Sequence, residues 1–162
     1  MDNLVCDSLI VATKLGDFRV HYTFEAVVGL DFPGCMPDRS HRCKSKPPQF
    51  VRDFSRQLEQ YAAGKPVQWL VPTAPTKGTD FQRKVWRTLI EIPRGETRSY
   101  GWVADRVGMP KASRAVGAAC GANPIPVVVP CHRVIAGDGS LGGFGGGSKM
   151  KRRLLALEGV TL

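Results

Sequence analysis

Between Leu9 and Asp31 apolar and polar residues alternate around Gly16-Asp17 and Gly29, with Ile10-Val11, Phe18-Arg19-Val20-His21-Tyr22 and Val27-Val28 as the runs that carry the apolar side chains. A period of two sends successive side chains to opposite faces, so this segment predicts a small antiparallel sheet of hairpin-connected strands. From Gln49 the period lengthens: Phe50, Phe54, Leu58 and Tyr61 recur at helical spacing, and Gly64 stands where a C-terminal cap is wanted. A helix backing the sheet follows from that change. The stretch 33–48 between them holds Pro33, Gly34, Pro37, Pro47 and Pro48 among several charges, the make-up of an irregular loop that should tolerate deletion.

Pro66 to Gly78, with Pro72 and Pro75, reads as an extended linker, and both composition and charge change beyond it. The expected boundary lies near Lys77, giving an N-terminal sheet-and-helix domain over 1–77 and a second domain over 78–162. In the second domain Thr79-Asp80-Phe81-Gln82 has the form of a capping box, followed by Phe81, Val85, Trp86, Leu89 and Ile90 as one buried stripe before Pro93-Arg94-Gly95. Ser99 is placed to cap a helix over 100–107, which Gly108 ends. After Pro110, Lys111 to Ala122 is rich in small residues and predicts another helix. The pattern is helix, tight turn, helix. The expected fold class is α+β: a small N-terminal antiparallel sheet with its helix, and a mainly helical C-terminal domain of the helix-turn-helix, winged-helix-like kind.

An apolar share of 43% in 162 residues is enough to bury a core. No run of about 18 uncharged apolar residues occurs, and Met1-Asp2-Asn3 begins nothing like a secretory signal, so the expectation is a soluble, cytoplasmic chain, nuclear in a eukaryote, with no membrane partner. Five cysteines, an odd number without regular spacing, argue for reduced thiols rather than a disulfide framework. The net charge of +9 is uneven: residues 1–80 carry 10 Lys/Arg against 9 Asp/Glu, residues 81–162 carry 13 against 5. A basic half suits a polyanion, because each neutralised phosphate releases condensed counterions; the other reading is a solvated basic surface. The helix-turn-helix falls in that half. Its second helix offers only Lys111, Ser113 and Arg114 as polar groups, and such bareness suits close approach to sugar-phosphate walls.

The segment from Asn123 to Val134 sets Val127-Val128-Val129 between prolines and delivers Cys131 and His132 at one rigid point. Thiolate, not thiol, attacks carbon, so a cysteine beside a histidine and an arginine is a candidate nucleophile; the alternative is a buried structural cysteine.

Residues 79–162 resemble the O6-alkylguanine-DNA alkyltransferase family. The resemblance rests on Thr79-Asp80-Phe81-Gln82, Ser99-Tyr100, Ser113-Arg114-Ala115-Val116-Gly117, Asn123-Pro124, Pro130-Cys131-His132-Arg133-Val134, a glycine-rich loop from Gly137 to Gly147, and Glu158-Gly159, all in the family's order. It implies repair by direct reversal, in which an alkyl group moves irreversibly from O6 of guanine in duplex DNA to Cys131 and inactivates the protein. It implies no metal or organic cofactor, approach from the minor groove and a monomer. His132 would take the thiol proton through a water and Glu158 would orient the histidine, while Tyr100 would donate to the departing guanine and Asn123 would brace the turn before the cysteine. A late-helix Glu158 faces an adverse dipole and so wants a partner, which His132 supplies. Arg114 would fill the stack vacated by a rotated base, with Lys111, Ser113, Ala115 and Gly117 on the DNA-facing helix. Pro126, Val134, Phe144 and Gly145 would line the base pocket, the guanine edge being read by backbone N–H of Gly145 and the carbonyls of Cys131 and Val134.

Two positions depart from the family pattern. Phe144 stands where many relatives carry tyrosine, and Gly121 where some carry arginine. Cys6, Cys35, His41 and Cys43 lack the close cysteine pair of a zinc site, so no metal is expected. Cys120 reads as packing, and His21 has no evident partner. Other readings remain: a damage binder of the alkyltransferase-like class, which Cys131 argues against; a Cys/His hydrolase, although His132 alone follows Cys131; and a helix-turn-helix regulator, which leaves Cys131-His132 without a role.

Overall fold

A computed structural model describes residues 7–35, 46–74 and 77–162. The chain divides into two compact units, Met1–Thr76 and Lys77–Leu162. The first holds three strands, β1 (Asp7–Thr13), β2 (Gly16–Tyr22) and β3 (Val27–Asp31), and one helix, α1 (Gln49–Ala62). The strands form an antiparallel sheet in sequential order, Leu9 opposite Val20 and Val20 opposite Leu30, with the register slipping between His21 and Tyr22. Alternation therefore has its predicted consequence: Phe18, Val20 and Tyr22 are buried together. α1 packs on β1 and buries Val51, Phe54, Leu58 and Tyr61; it ends where Gly64, at φ +84°, donates to the Tyr61 carbonyl. The linker is not wholly free of the sheet, since Val27 N–H donates to Pro72 and Ala74 N–H donates back to Val27. His21, expected to stand alone, pairs with Asp31 across the sheet at 2.7 Å, because antiparallel register sets β3 beside it.

The second unit contains α2 (Asp80–Ile90), a two-residue strand β4 (Arg98–Ser99), α3 (Tyr100–Arg106), α4 (Ser113–Gly121), a single 3-10 turn (Cys131–Arg133), a two-residue strand β5 (Val134–Ile135) and α5 (Gly147–Leu157). The capping box forms as the sequence predicts, with Thr79 and Gln82 bonding reciprocally, and Ser99 accepts from Trp102 N–H to start α3. The small-residue helix starts at Ser113, leaving Lys111 in the preceding turn. Val85, Trp86 and Leu89 of α2 meet Val103 and Ala104 of α3, Val116 and Ala119 of α4, and Cys131 itself in one core. Trp86 Nε1 donates to the Ala119 carbonyl at 2.8 Å, which fixes α4 on α2.

Residues 123–130 form turns, with Val127 in the left-handed region at φ +75° and only an isolated bridge between Pro126 and Val129. Closely spaced prolines deny the ladder its donors, and burial of Ile125, Val127 and Val129 holds the turn in place instead. The parallel pairing of β4 with β5, Arg98 opposite Val134 and Ser99 opposite Ile135, is too short to leave a hydropathy signature. It carries Tyr100 to the end of the strand that follows Cys131.

No described helix is long and apolar enough to cross a membrane.

Candidate active site

Cys131 is 5% exposed and opens onto a cavity of about 700 Å³. Asn123 sets its position: the amide Nδ2 donates to the Val129 carbonyl at 2.8 Å and to Cys131 Sγ at 3.2 Å, while Oδ1 accepts from Ile125 N–H at 3.1 Å. One side chain thus satisfies the turn's backbone and touches the sulfur. Burial pushes the Cys131 thiol up from its ordinary value, against the opposing pull of the Asn123 hydrogen bond and the Lys151 charge. The resting sulfur is therefore a thiol that needs a base.

A candidate base lies at the next residue. His132 is fully buried, and its Nε2 meets Glu158 Oε1 at 2.9 Å. Burial pushes the imidazole down from its ordinary value although Glu158 pulls it up, so the neutral ring is favoured and its basic lone pair sits on Nδ1. Glu158 caps the end of α5, where the helix dipole opposes a carboxylate. It is held there by more than the histidine. Arg133 clasps it from Nε to Oε2 at 2.8 Å and from a terminal nitrogen to Oε1 at 2.9 Å, while its other terminal nitrogen donates to the Ile92 carbonyl. The sequence carried Arg133 only as a positive neighbour of the cysteine; the two-point match of guanidinium to carboxylate needs the fold to bring the C-terminal end of α5 beside the 3-10 turn.

Tyr100 forms the facing wall, its hydroxyl donating to the Gly143 carbonyl at 3.3 Å. Burial, reinforced by the two nearby thiols, pushes the phenol up to about 12, so it keeps its proton throughout the neutral range. One glycine lets the ring sit where it does: a Cβ at Gly142, where φ is +67°, would lie 2.9 Å from the hydroxyl, whereas a Cβ at Gly117 on α4 would lie 3.8 Å from the ring edge, in ordinary contact.

Phe144, Gly145, Gly137, Ser113, Arg114 and Gly117 share the cavity wall with these groups. Arg114 is exposed at the mouth, as are Lys111 and Ala115 beyond it. Pro126 and Val134 are not part of the wall, contrary to expectation: Pro126 is buried within the turn, and Val134 is fully buried with its carbonyl accepting from Lys151 Nζ. Cys120 packs against the core as expected and also lines the cavity with Cys131, since the last turn of α4 runs along its wall. Among the described residues no group of three His, Cys, Asp or Glu is arranged to hold a metal ion. Cys35 is exposed, and Cys6, His41 and Cys43 lie outside the described residues.

Residues 80–160 match the family model of the 6-O-methylguanine DNA methyltransferase DNA-binding domain. Over 111 residues, 68% of this chain and 70% of the relative, the sequence is 54% identical to a methylated-DNA–protein-cysteine methyltransferase of Methanosarcina acetivorans. The crystal structure of Mycobacterium tuberculosis O6-methylguanine methyltransferase matches with a TM-score of 0.82 at 39% identity, covering 94% of this chain and 92% of that one. The OGT of the same organism, solved in complex with DNA, matches at 0.80 and 40% identity, covering 94% and 93%.

Proposed function

This chain belongs to the O6-methylguanine-DNA methyltransferase family, and on that premise we propose that it repairs DNA by direct reversal, taking an alkyl group from O6 of guanine in duplex DNA onto Cys131 in a single turnover. The observation that carries the reading is the cavity itself: an activatable thiol at its wall, a phenol donor facing it, and a buried His-Glu pair behind.

The chemistry follows from the groups. The Cys131 proton passes through a water to His132 Nδ1, and the imidazolium so formed is stabilised by Glu158, whose carboxylate Arg133 holds in place. Sulfur then bonds the alkyl carbon, the carbon–O6 bond breaks, and the electron pair leaves on guanine. Tyr100 supplies a proton to that developing anion. The thioether has no route back to thiol within this constellation, so each molecule acts once. No cofactor enters the balance.

Reaching O6 requires the base to leave the stack. The basic second unit supplies the field for duplex DNA. α4 presents Ser113, Arg114, Ala115 and Gly117, with Lys111 just before it, to the minor groove, and exposed Arg114 fills the vacated space. Phe144 and Gly145 wall the base. The protein works as a monomer in the cytoplasm.

A duplex oligomer carrying O6-methylguanine tests this directly. One methylene should be added to the peptide containing Cys131, once per molecule, and Cys131→Ala should abolish the gain. Tight binding with no gain of mass on long incubation would instead make the chain a damage binder, and sequence-selective binding to undamaged DNA would make it a regulator.

A further inference from the structure

Lys151 is, among the described residues, the one lysine with no exposed surface. It lies on α5 two turns before Glu158, so the same helix face presents both residues. Its Nζ donates to the carbonyl of Val134, which directly follows the 3-10 turn of Cys131, and to that of Leu141 in the glycine-rich loop. The same ammonium stands 5.9 Å from the ring centre of Tyr100 and 5.8 Å from that of Phe144, within the range at which aromatic faces attract a cation. A single buried amine therefore joins the strand after the nucleophile, the loop across the cavity, and both aromatic walls.

Burying an ammonium is costly unless it is partnered, and this one has oxygen partners on two elements, the strand after the 3-10 turn and the glycine-rich loop. Packing alone would be served by an apolar side chain of the same length. The titratable groups around it are Tyr100 on α3, Cys120 on α4, and Cys131 and His132 in the 3-10 turn. Its influence on them is directional: the positive charge favours thiolate at Cys131 and disfavours imidazolium at His132.

We propose that Lys151 is a positioning residue for alkyl transfer, latching the glycine-rich loop to the strand behind Cys131 and holding a positive charge where the thiolate forms. This rests on Cys131 being the acceptor. Asn123 stabilises the sulfur by one hydrogen bond; Lys151 adds a charge in a site where water does not screen it. The latch also sets where Tyr100 meets the loop, because Leu141 is adjacent to Gly142 and Gly143, which touch the Tyr100 ring and hydroxyl.

The full-length chain provides the test. The rate at which iodoacetamide modifies Cys131, read at its peptide by mass, is followed against pH for the wild type and for Lys151→Met, Lys151→Gln and Lys151→Arg. Melting and transfer from an O6-methylguanine duplex are measured in parallel. The Met and Gln variants should show the thiol midpoint about one unit higher, a tenfold lower reactivity at neutral pH, with transfer slowed at least as much. The Arg variant should keep the wild-type midpoint even if it melts lower. Folded Met and Gln variants with the wild-type midpoint, whatever their melting temperature, would reduce Lys151 to a core brace and overturn the proposal. Should neither fold, the Arg variant decides: a displaced midpoint despite its retained charge overturns it as well. Iodoacetamide needs no DNA, so failure of wild-type transfer would overturn the assigned reaction while leaving the thiol measurement to stand on its own.

Discussion

Glu158 meets His132 at 2.9 Å with both side chains fully buried, and Arg133 holds the same carboxylate at both its oxygens. The carboxylate sits at a helix C-terminus, where the dipole opposes it, and these two partners offset that cost. Removing one member of such a buried set leaves the others uncompensated.

Glu158→Gln should therefore slow alkyl transfer by about 10²-fold or more, since the imidazolium loses its stabilising charge as it forms. It should also lower stability by about 3 kcal/mol, as an unpaired Arg133 is left behind. The two effects separate through pH. Glu158 pulls the His132 pKa up, so its loss moves the acid limb of the single-turnover rate to lower pH. An unmoved limb with a merely lower melting temperature would leave Glu158 a structural brace.

His132 gives the wild type a pH-dependent stability. Its folded pKa is depressed below its unfolded value, so the unfolded chain binds the extra proton first as pH falls. This group's contribution is intact above about pH 6.5 and is lost progressively below it. Melting temperature measured from neutral pH downward should fall through that window, and His132→Gln should flatten the fall.

Tyr100→Phe keeps the ring between Gly117 and the loop and deletes only the hydroxyl. Transfer should slow by on the order of 10²-fold with DNA affinity unchanged, the size of effect expected for a positioned proton donor. Because the phenol pKa is pushed up to about 12, the wild-type rate should show no alkaline decline from this group at any pH below that. Rapid-quench kinetics on both proteins would settle the assignment, and an unchanged rate in the phenylalanine variant would remove Tyr100 from the reaction.

Gly142 and Gly121 make an internal contrast. Gly142→Ala combines a left-handed backbone with a Cβ 2.9 Å from the Tyr100 hydroxyl, so it should cost about 1–2 kcal/mol and displace the phenol. Gly121→Ala meets nothing within 4 Å and lies in α4, so it should stabilise by about 0.5–1 kcal/mol. Denaturant titration of both variants checks the pair; equal effects would contradict the loop geometry.

Arg114→Ala should weaken binding to duplex DNA, and Gly121→Arg, at an exposed position on the cavity rim, should strengthen it. If each changes one phosphate contact, the slope of log affinity against log salt changes by about one unit, shallower for the first and steeper for the second. Arg114→Ala should further slow transfer at saturating DNA, as it must if the guanidinium fills the stack rather than only pairing a phosphate. Fluorescence anisotropy over a salt series measures both slopes.

The sequence by itself determined what depends on neighbours along the chain: the alternation that buries Phe18 and Val20, the 3.6-residue stripe of Val85, Trp86 and Leu89, the caps at Thr79 and Ser99, and a cysteine fixed between prolines and a histidine. These are signals of local period and backbone restriction, and they survive translation into structure because no distant contact competes with them. The tertiary structure alone decided the pairings. Arg133 on Glu158 spans 25 residues and Lys151 on Val134 spans 17, and charge at a single position announces neither. His21 found Asp31 only through strand register. The two-residue β4–β5 pair, too short for any pattern, brought Tyr100 to the end of the strand that follows the cysteine's turn. Val134 and Pro126 are buried away from the residues that line the cavity while Cys120 is one of them, because which side of a turn or helix faces a hollow depends on packing, and packing is a property of the whole fold.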